Sequence, residues 1–210
     1  IIIAPFLKAT LEPNALIRFS GTNIFKANEA RFIEQSKKLQ EATSEGDLIG
    51  KIIYNRRLVS LQLFSEGYLS HFDPVWLFTN SSGGLHKIPN TGLLYVWEIP
   101  FILLGIYLLI KNNFYKKTKK LIFLWFLIAP IPAALTTDTP HALRTFIFLP
   151  IWQIFSAIGL VGSVKIFEKY SKVLPYAFSI VVLFSLLHLY KQYFYVFPKE
   201  QSASFQYSLS

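Results

Sequence analysis

The stretch 136-TTDTPHALRTFIFLPIWQIFSAIGL-160 joins a short polar loop directly to a long apolar segment. The 20 residues Thr145–Val164 carry no charge, and a helix needs about 20 apolar residues to cross the hydrocarbon of a bilayer. In the loop, Asp138 or Thr139 has the side chain of a helix N-cap, and Pro140 suits the first helical turn. The stretch therefore predicts a capped transmembrane helix that starts close to Pro140.

Three residues of this loop, Asp138, His141 and Arg144, are candidates for binding an anionic substrate. His141 and Arg144 are three positions apart, so they share a face of the predicted helix. Arg144 is the last charge before the apolar run, where its guanidinium can meet a phosphate that is anchored in lipid. The alternative is that Arg144 only anchors the helix by reaching the headgroups and that Asp138 is only a cap.

The composition favours an integral membrane protein over a soluble domain. Of the 210 residues, 52% are hydrophobic and 17% aromatic, and the mean hydropathy is +0.39. The net charge of +9 would suggest a nucleic-acid partner in a soluble protein; here much of it sits in short loops between apolar runs, so we expect a lipid bilayer as partner and no nucleic acid. The lack of cysteine excludes disulfides and thiolate zinc sites.

Four apolar runs predict an all-α, multi-pass transmembrane protein with four spans. They are Leu93–Ile110, Leu121–Leu135, Thr145–Val164 and Val173–Tyr190. The second run is short and contains Pro130 and Pro132, which cannot continue a regular helix. We expect three regions: 1–92, an extracytoplasmic helical region with a membrane-surface amphipathic segment; 93–190, the four-helix transmembrane region; and 191–210, an extracytoplasmic tail.

The charges of the loops predict the orientation. Lys111–Lys120 carries five Lys and no acid, and Lys165–Lys172 carries three Lys and one Glu. Short basic loops mark the cytoplasm, so region 1–92, the loop of Arg144 and the tail are expected outside a bacterial cytoplasmic membrane. In region 1–92, Asn28–Thr43 predicts an exposed helix, and Leu48–Phe64 predicts an amphipathic helix that lies on the membrane surface.

Three further residues are candidates for the same substrate. Glu98 lies inside the first apolar run, and an ionisable group within a span is a functional candidate by default. His86 and Lys87 precede that run in a Gly/Pro-rich loop, where they can meet a sugar or a phosphate. The alternatives are that Glu98 only reaches the interface and that the two loop residues are simply solvated.

The sequence contains no complete catalytic constellation and no metal-ligand spacing among its four His residues. No cofactor is evident, and a requirement for a divalent metal stays open. Because the chain has no Met and opens on Ile1-Ile2-Ile3, we expect an internal fragment or a processed chain. A catalytic base is therefore expected outside it.

Several motifs occur together in an order typical of one family. They are YLSHFDPVWLF, GGLHKIPNTGLLYVWEIPFILLGIYLLI, LWFLIAPIPAALTTDTPHALRTFIFLPIWQIFSAIGL and YVFPKE…FQYS. Over residues 50–207 the chain resembles the C-terminal membrane half of bacterial polytopic glycosyltransferases of the C type (GT-C), which are related to protein mannosyltransferases and to aminoarabinose transferase.

The resemblance implies transfer of a sugar from a polyprenyl-phosphate donor to an acceptor glycan, lipid or protein on the outer face. In such enzymes an outer-face arginine at the start of a late span binds the donor phosphate, and Arg144 matches that position, with His141 beside it. The family's catalytic aspartate lies in a first outer loop that is not recognisable here. Two alternatives stay open: a transporter or flippase-like protein with Glu98 on its substrate path, and a non-catalytic membrane scaffold.

Overall fold

A computed structural model describes residues 21–79, 88, 90–111, 116–167 and 172–200. Within these residues the secondary structure is helical, apart from one isolated β-bridge between Asn23 and Thr136. The predicted all-α class is therefore confirmed for the described part of the chain.

The α-helices are numbered here in chain order. They are α1 (Ile24–Ala27), α2 (Glu29–Ser44), α3 (Leu48–Ile53), α4 (Arg56–Ser70), α5 (Pro74–Phe78), α6 (Ile99–Lys111), α7 (Lys116–Ile128), α8 (Ile131–Ala134), α9 (Leu149–Ile166) and α10 (Leu174–Lys191). Short 3₁₀ turns, Val96–Glu98 and Phe146–Phe148, lead into α6 and α9, and a π-helical turn, Gln192–Val196, follows α10.

The chain divides into two compact units, each discontinuous in sequence. Unit 1 comprises Ile1–Ser70 and Ile131–Pro140, and unit 2 comprises His71–Pro130 and His141–Ser210. The regions predicted from hydropathy have their first boundary at residue 92. The units differ because they follow packing: Trp76 and Leu77 belong to the core of the apolar helices, and residues 131–140 belong to unit 1.

Unit 1 is built around α4, whose Val59 and Leu63 are 2% and 3% exposed and pack with Ile24 of α1. The segment α8 packs closely on α4, since a Cβ added to Gly67 would lie 2.8 Å from the carbonyl oxygen of Ala134. The helix predicted over Asn28–Thr43 is confirmed as α2.

The helix predicted over Leu48–Phe64 is divided into α3 and α4. The physical reason is Asn55, whose Oδ1 accepts the backbone N–H of Arg57 at 2.9 Å. A side chain that binds the backbone in this way favours the start of a new helix.

Unit 2 is built around the pair α6 and α9, whose backbones approach closely at two glycines. A Cβ on Gly105 would lie 1.9 Å from the carbonyl oxygen of Phe155, and one on Gly159 would lie 1.8 Å from that of Phe101. Aromatic rings continue the core: Phe126 of α7 contacts Phe148 and Trp152, with ring centroids 5.4 Å and 5.1 Å apart. Small residues at a helix contact allow this close packing.

Two helical stretches are long and apolar enough to cross a membrane, judged by length and composition among the described residues. They are Phe146–Ile166, of 21 residues, and Pro175–Glu200, of 26 residues. In their most apolar windows 39% and 11% of the residues are buried.

The first two predicted spans form shorter helices. α6 and α7 have 13 residues each, about 20 Å at 1.5 Å per residue, against a hydrocarbon thickness of about 30 Å. Pro130 interrupts the second run as predicted, because α7 ends at Ile128 and α8 begins at Ile131. The prediction is wrong for Pro132, which lies in the first turn of α8, where no backbone donor is needed. The part of the chain that the structure describes thus has two candidate spans, where the sequence predicted four.

Candidate functional site

The polar loop before α9 begins in unit 1, where backbone hydrogen bonds hold it. The N–H of Thr137 donates to the carbonyl of Thr22 at 2.8 Å, and the N–H of Ile24 donates to that of Leu135 at 3.2 Å. Asp138 follows with a φ of 59° and an exposed side chain. Thr137 Oγ1 lies 3.4 Å from Asp138 Oδ2, within reach of a weak hydrogen bond.

The helix after this loop begins later than predicted. Asp138 was expected to cap a helix starting near Pro140, but α9 begins at Leu149, behind the 3₁₀ turn Phe146–Phe148. The left-handed backbone of Asp138 is the physical reason, because an N-cap residue needs extended φ and ψ angles. Asp138 therefore does not cap this helix, and its proposed role in substrate binding stays a prediction.

His141 and Arg144 lie together in the turn that leads into the candidate span. The N–H of Thr145 donates to the carbonyl of His141 at 3.1 Å, and Thr145 Oγ1 donates to the same oxygen at 2.7 Å. Because Thr145 is only 1% exposed, these two bonds fix the turn from its buried side. Both His141 and Arg144 are half-buried, so the imidazole and the guanidinium belong to one closed turn at the end of an apolar helix.

His71 lies beside this turn, although the sequence did not predict it as a candidate residue. It is fully buried, and its Nε2 accepts the backbone N–H of His141 at 3.4 Å. Its ring meets Trp76 edge-on with centroids 5.6 Å apart. In the sequence, His71 is a polar residue between α4 and α5. Hydropathy alone does not distinguish such a buried histidine from an exposed turn residue.

Glu98 lies in the 3₁₀ turn that begins α6 and is 3% exposed. Its Oε1 accepts the N–H of Tyr95 at 3.2 Å, whereas Oε2 is buried without a hydrogen-bond donor among the described residues. The neighbouring Trp97 donates its indole N–H to Ser185 Oγ of α10 at 3.0 Å, which holds the turn in place. Glu98 is thus a buried carboxyl group, and both its role in substrate binding and the alternative that it only reaches the interface stay predictions.

The remaining candidates lie outside the described residues or in the other unit. His86 and Lys87 lie outside the described residues, and Asp138 belongs to unit 1, whereas His141, Arg144 and Glu98 belong to unit 2. Within the described part of the chain, no group of three or more His, Asp or Glu side chains is arranged to hold a metal ion.

The turn is chemically suited to binding an anion. A guanidinium offers a planar fork of N–H donors that matches a phosphate or a carboxylate, and partial burial strengthens such a contact. Comparison with family models, with curated proteins and with solved structures gives no match for this chain. The turn itself therefore carries the functional argument.

Proposed function

We propose that this chain is the C-terminal membrane part of a GT-C-type glycosyltransferase. In this proposal four membrane spans place the turn of His141 and Arg144 at the extracytoplasmic face of a bacterial cytoplasmic membrane. Arg144 binds the phosphate of a polyprenyl-phosphate-linked sugar, and the sugar passes to an acceptor glycan, lipid or protein. The catalytic base is supplied from outside this chain.

The observation that carries the proposal is the position of Arg144. The residue is half-buried and lies two positions before Phe146–Ile166, a helix long enough to cross a bilayer. A lipid phosphate is held at the edge of the bilayer, where such a helix begins, whereas a water-soluble phosphate is not held there. The position of Arg144 therefore supports a ligand whose anion and hydrocarbon are joined.

The chemistry of sugar transfer gives the guanidinium a second use. When the acceptor attacks the anomeric carbon, the bond to the phosphate oxygen breaks and the lipid phosphate leaves as an anion. A cation beside the leaving oxygen stabilises the charge that develops there. In this proposal His141, which lies in the same turn, contacts the sugar or the phosphate.

The proposal is tested with the protein in lipid nanodiscs and a photoactivatable polyprenyl-phosphate sugar analogue. We expect labelling around residues 138–144 that unlabelled donor suppresses. Arg144→Ala should lower the labelling about tenfold or more, because a charge-assisted hydrogen bond is lost. Arg57→Ala is the matched control, since Arg57 is an exposed arginine of unit 1. Labelling of an inserted Arg144→Ala protein at the wild-type level would contradict the phosphate role.

The second candidate is a transporter or flippase-like protein, and buried Glu98 is the observation that favours it. An ionisable group inside an apolar run marks substrate paths in membrane proteins. If this candidate is correct, reconstituted vesicles will show lipid or solute movement that Glu98→Gln abolishes, and the donor analogue will not label the turn. Labelling without movement favours the transferase. If neither labelling nor movement is observed, the non-catalytic scaffold is favoured.

A further inference from the structure

A groove of about 910 Å³ lies in unit 2 at the ends of α6 and α9 that carry the basic loops. Its lining is aliphatic or glycine except for Lys111, Thr118 and Lys165. Val161 and Ile166 line it and are 61% and 59% exposed. A groove with this lining is apolar along its length and positively charged at one end.

The two lysines come from different helices. Lys111 is the last residue of α6, and Lys165 lies in the last turn of α9. Lys111 Nζ lies 3.4 Å from the hydroxyl of Tyr107 and 5.6 Å from the centre of its ring. Among the described residues, neither lysine forms an ion pair with a carboxylate and no carboxylate lines the groove. Lysine is favoured at any helix C-terminus, but that preference does not explain an apolar groove between two of them.

The apolar part of the groove depends on Gly162. A Cβ at this position would lie 2.2 Å from Leu108 Cδ1, so the missing side chain leaves room for Leu108 beside the backbone of α9. From Ile158 to Lys165 the groove extends about 10 Å along the helix at 1.5 Å per residue. That length accommodates the upper part of an acyl chain.

We infer that this groove binds an anionic phospholipid, with the phosphate at the amines of Lys111 and Lys165 and an acyl chain along Ile158 and Val161. Basic pockets between transmembrane helices commonly hold anionic headgroups on the cytoplasmic side. The inference depends on the membrane embedding of α9 and not on the proposed sugar transfer.

The test uses a fluorophore on Val161→Cys, which is a unique site because the chain has no cysteine. In nanodiscs, we compare quenching by brominated phosphatidylglycerol with quenching by brominated phosphatidylcholine. We expect phosphatidylglycerol to quench preferentially, and each of Lys111→Gln and Lys165→Gln to lower the preference about fivefold. Lys117→Gln and Lys120→Gln are the matched controls, because they remove the same charge from a neighbouring exposed position outside the lining.

Each other outcome overturns the inference. Equal quenching by both lipids means that no anionic headgroup is selected, and equal losses in the control variants mean a diffuse attraction to the basic loops. Displacement by millimolar inorganic phosphate would identify a free phosphate as the ligand instead of a lipid. Protection of the fluorophore that grows with the number of chains per nanodisc would identify a second copy of the chain.

Discussion

The ion pair between Arg31 of α2 and Glu66 of α4 makes the stability of unit 1 dependent on pH. The two side chains form paired hydrogen bonds of 3.0 Å and 3.1 Å. The hydrogen bond from Arg31 lowers the pKa of Glu66 below its ordinary value, and the same bond raises the pKa of Arg31. Since the carboxyl is more acidic in the folded state, its contribution is complete above the ordinary carboxyl pKa of about 4.3. It is lost as the pH falls through the lower pKa of the folded state.

Glu66→Gln should therefore destabilise the contact between α2 and α4 at neutral pH and have little effect in strong acid. The side chains of Arg31 and Glu66 are 32% and 52% exposed, so solvent screening limits the loss at pH 7 to less than about 1 kcal/mol. Hydrogen exchange of α2 amides at pH 7 and near pH 3 measures the difference. Glu34→Gln is the control, since its partner Lys38 lies on the same helix. An equal effect of Glu66→Gln at both pH values would contradict the linkage.

At the residue scale, the sequence indicated the charged candidate residues but not the contacts that surround them. Glu98 and Arg144 were visible because a charge inside or beside an apolar run is conspicuous. The burial of Glu98 and the contact of buried His71 with the backbone of His141 depend on the packing of the folded chain. No periodicity records such contacts, so neither feature was predicted.

The packing of α6 on α9 is the feature at the element scale with the clearest energetic consequence. At Gly159 an added methyl group would meet the rigid backbone of Phe101, whereas at Gly162 it would meet the flexible end of Leu108. Glycine-to-alanine substitutions at these two positions of α9 should therefore differ in their effect on stability, because only the one at Gly159 meets rigid backbone.

Gly159→Ala should destabilise the helix pair by about 1–3 kcal/mol through overpacking, and Gly162→Ala should cost less. Any gain in helix propensity from alanine is about the same at both positions. The difference in stability between the two variants therefore measures the cost of the contact with the backbone of Phe101. Thermal unfolding in detergent, followed by circular dichroism, provides the measurement. Equal midpoints for the two variants would show that the backbones do not approach as closely as described.

Helices were predicted well where apolar periodicity was long, and their ends were predicted less well. The run Thr145–Val164 became α9 with a later start, and Asp138, whose backbone is left-handed, is not its N-cap. Leu48–Phe64 became two helices because Asn55 binds the backbone of Arg57. A hydropathy pattern does not specify such local backbone conformations.

At the scale of the whole molecule, the division into two discontinuous units differs most from the sequence prediction. Ala133 and Ala134 are fully buried in unit 1, although the chain between them and α4 builds much of unit 2. Hydropathy groups residues by polarity along the chain, and it therefore assigned 131–135 to a membrane span. Two of the four predicted runs, α9 and the stretch including α10, are candidate spans by length and composition.

Ala134→Leu should loosen unit 1 while leaving the pair α6 and α9 intact. The larger side chain has no space beside Gly67, and overpacking of a buried site costs about 1–3 kcal/mol. Limited proteolysis should then cut α2 and α4 faster than in the wild type, with no change in α9. Leu135→Ala is the control, because Leu135 is 38% exposed. If cutting of α2 and α4 stays unchanged, residues 131–134 do not contribute to unit 1.

The bridge between Asn23 and Thr136 also bears on how the chain is made. A ribosome delivers residues 71–130 before residues 131–140, so unit 1 waits for its last segment until α6 and α7 have left the exit tunnel. During that interval α2–α4 lack the residues that cover Gly67. Completion of unit 1 is therefore a late event in biosynthesis, and a chain that stalls before residue 131 carries an open unit 1.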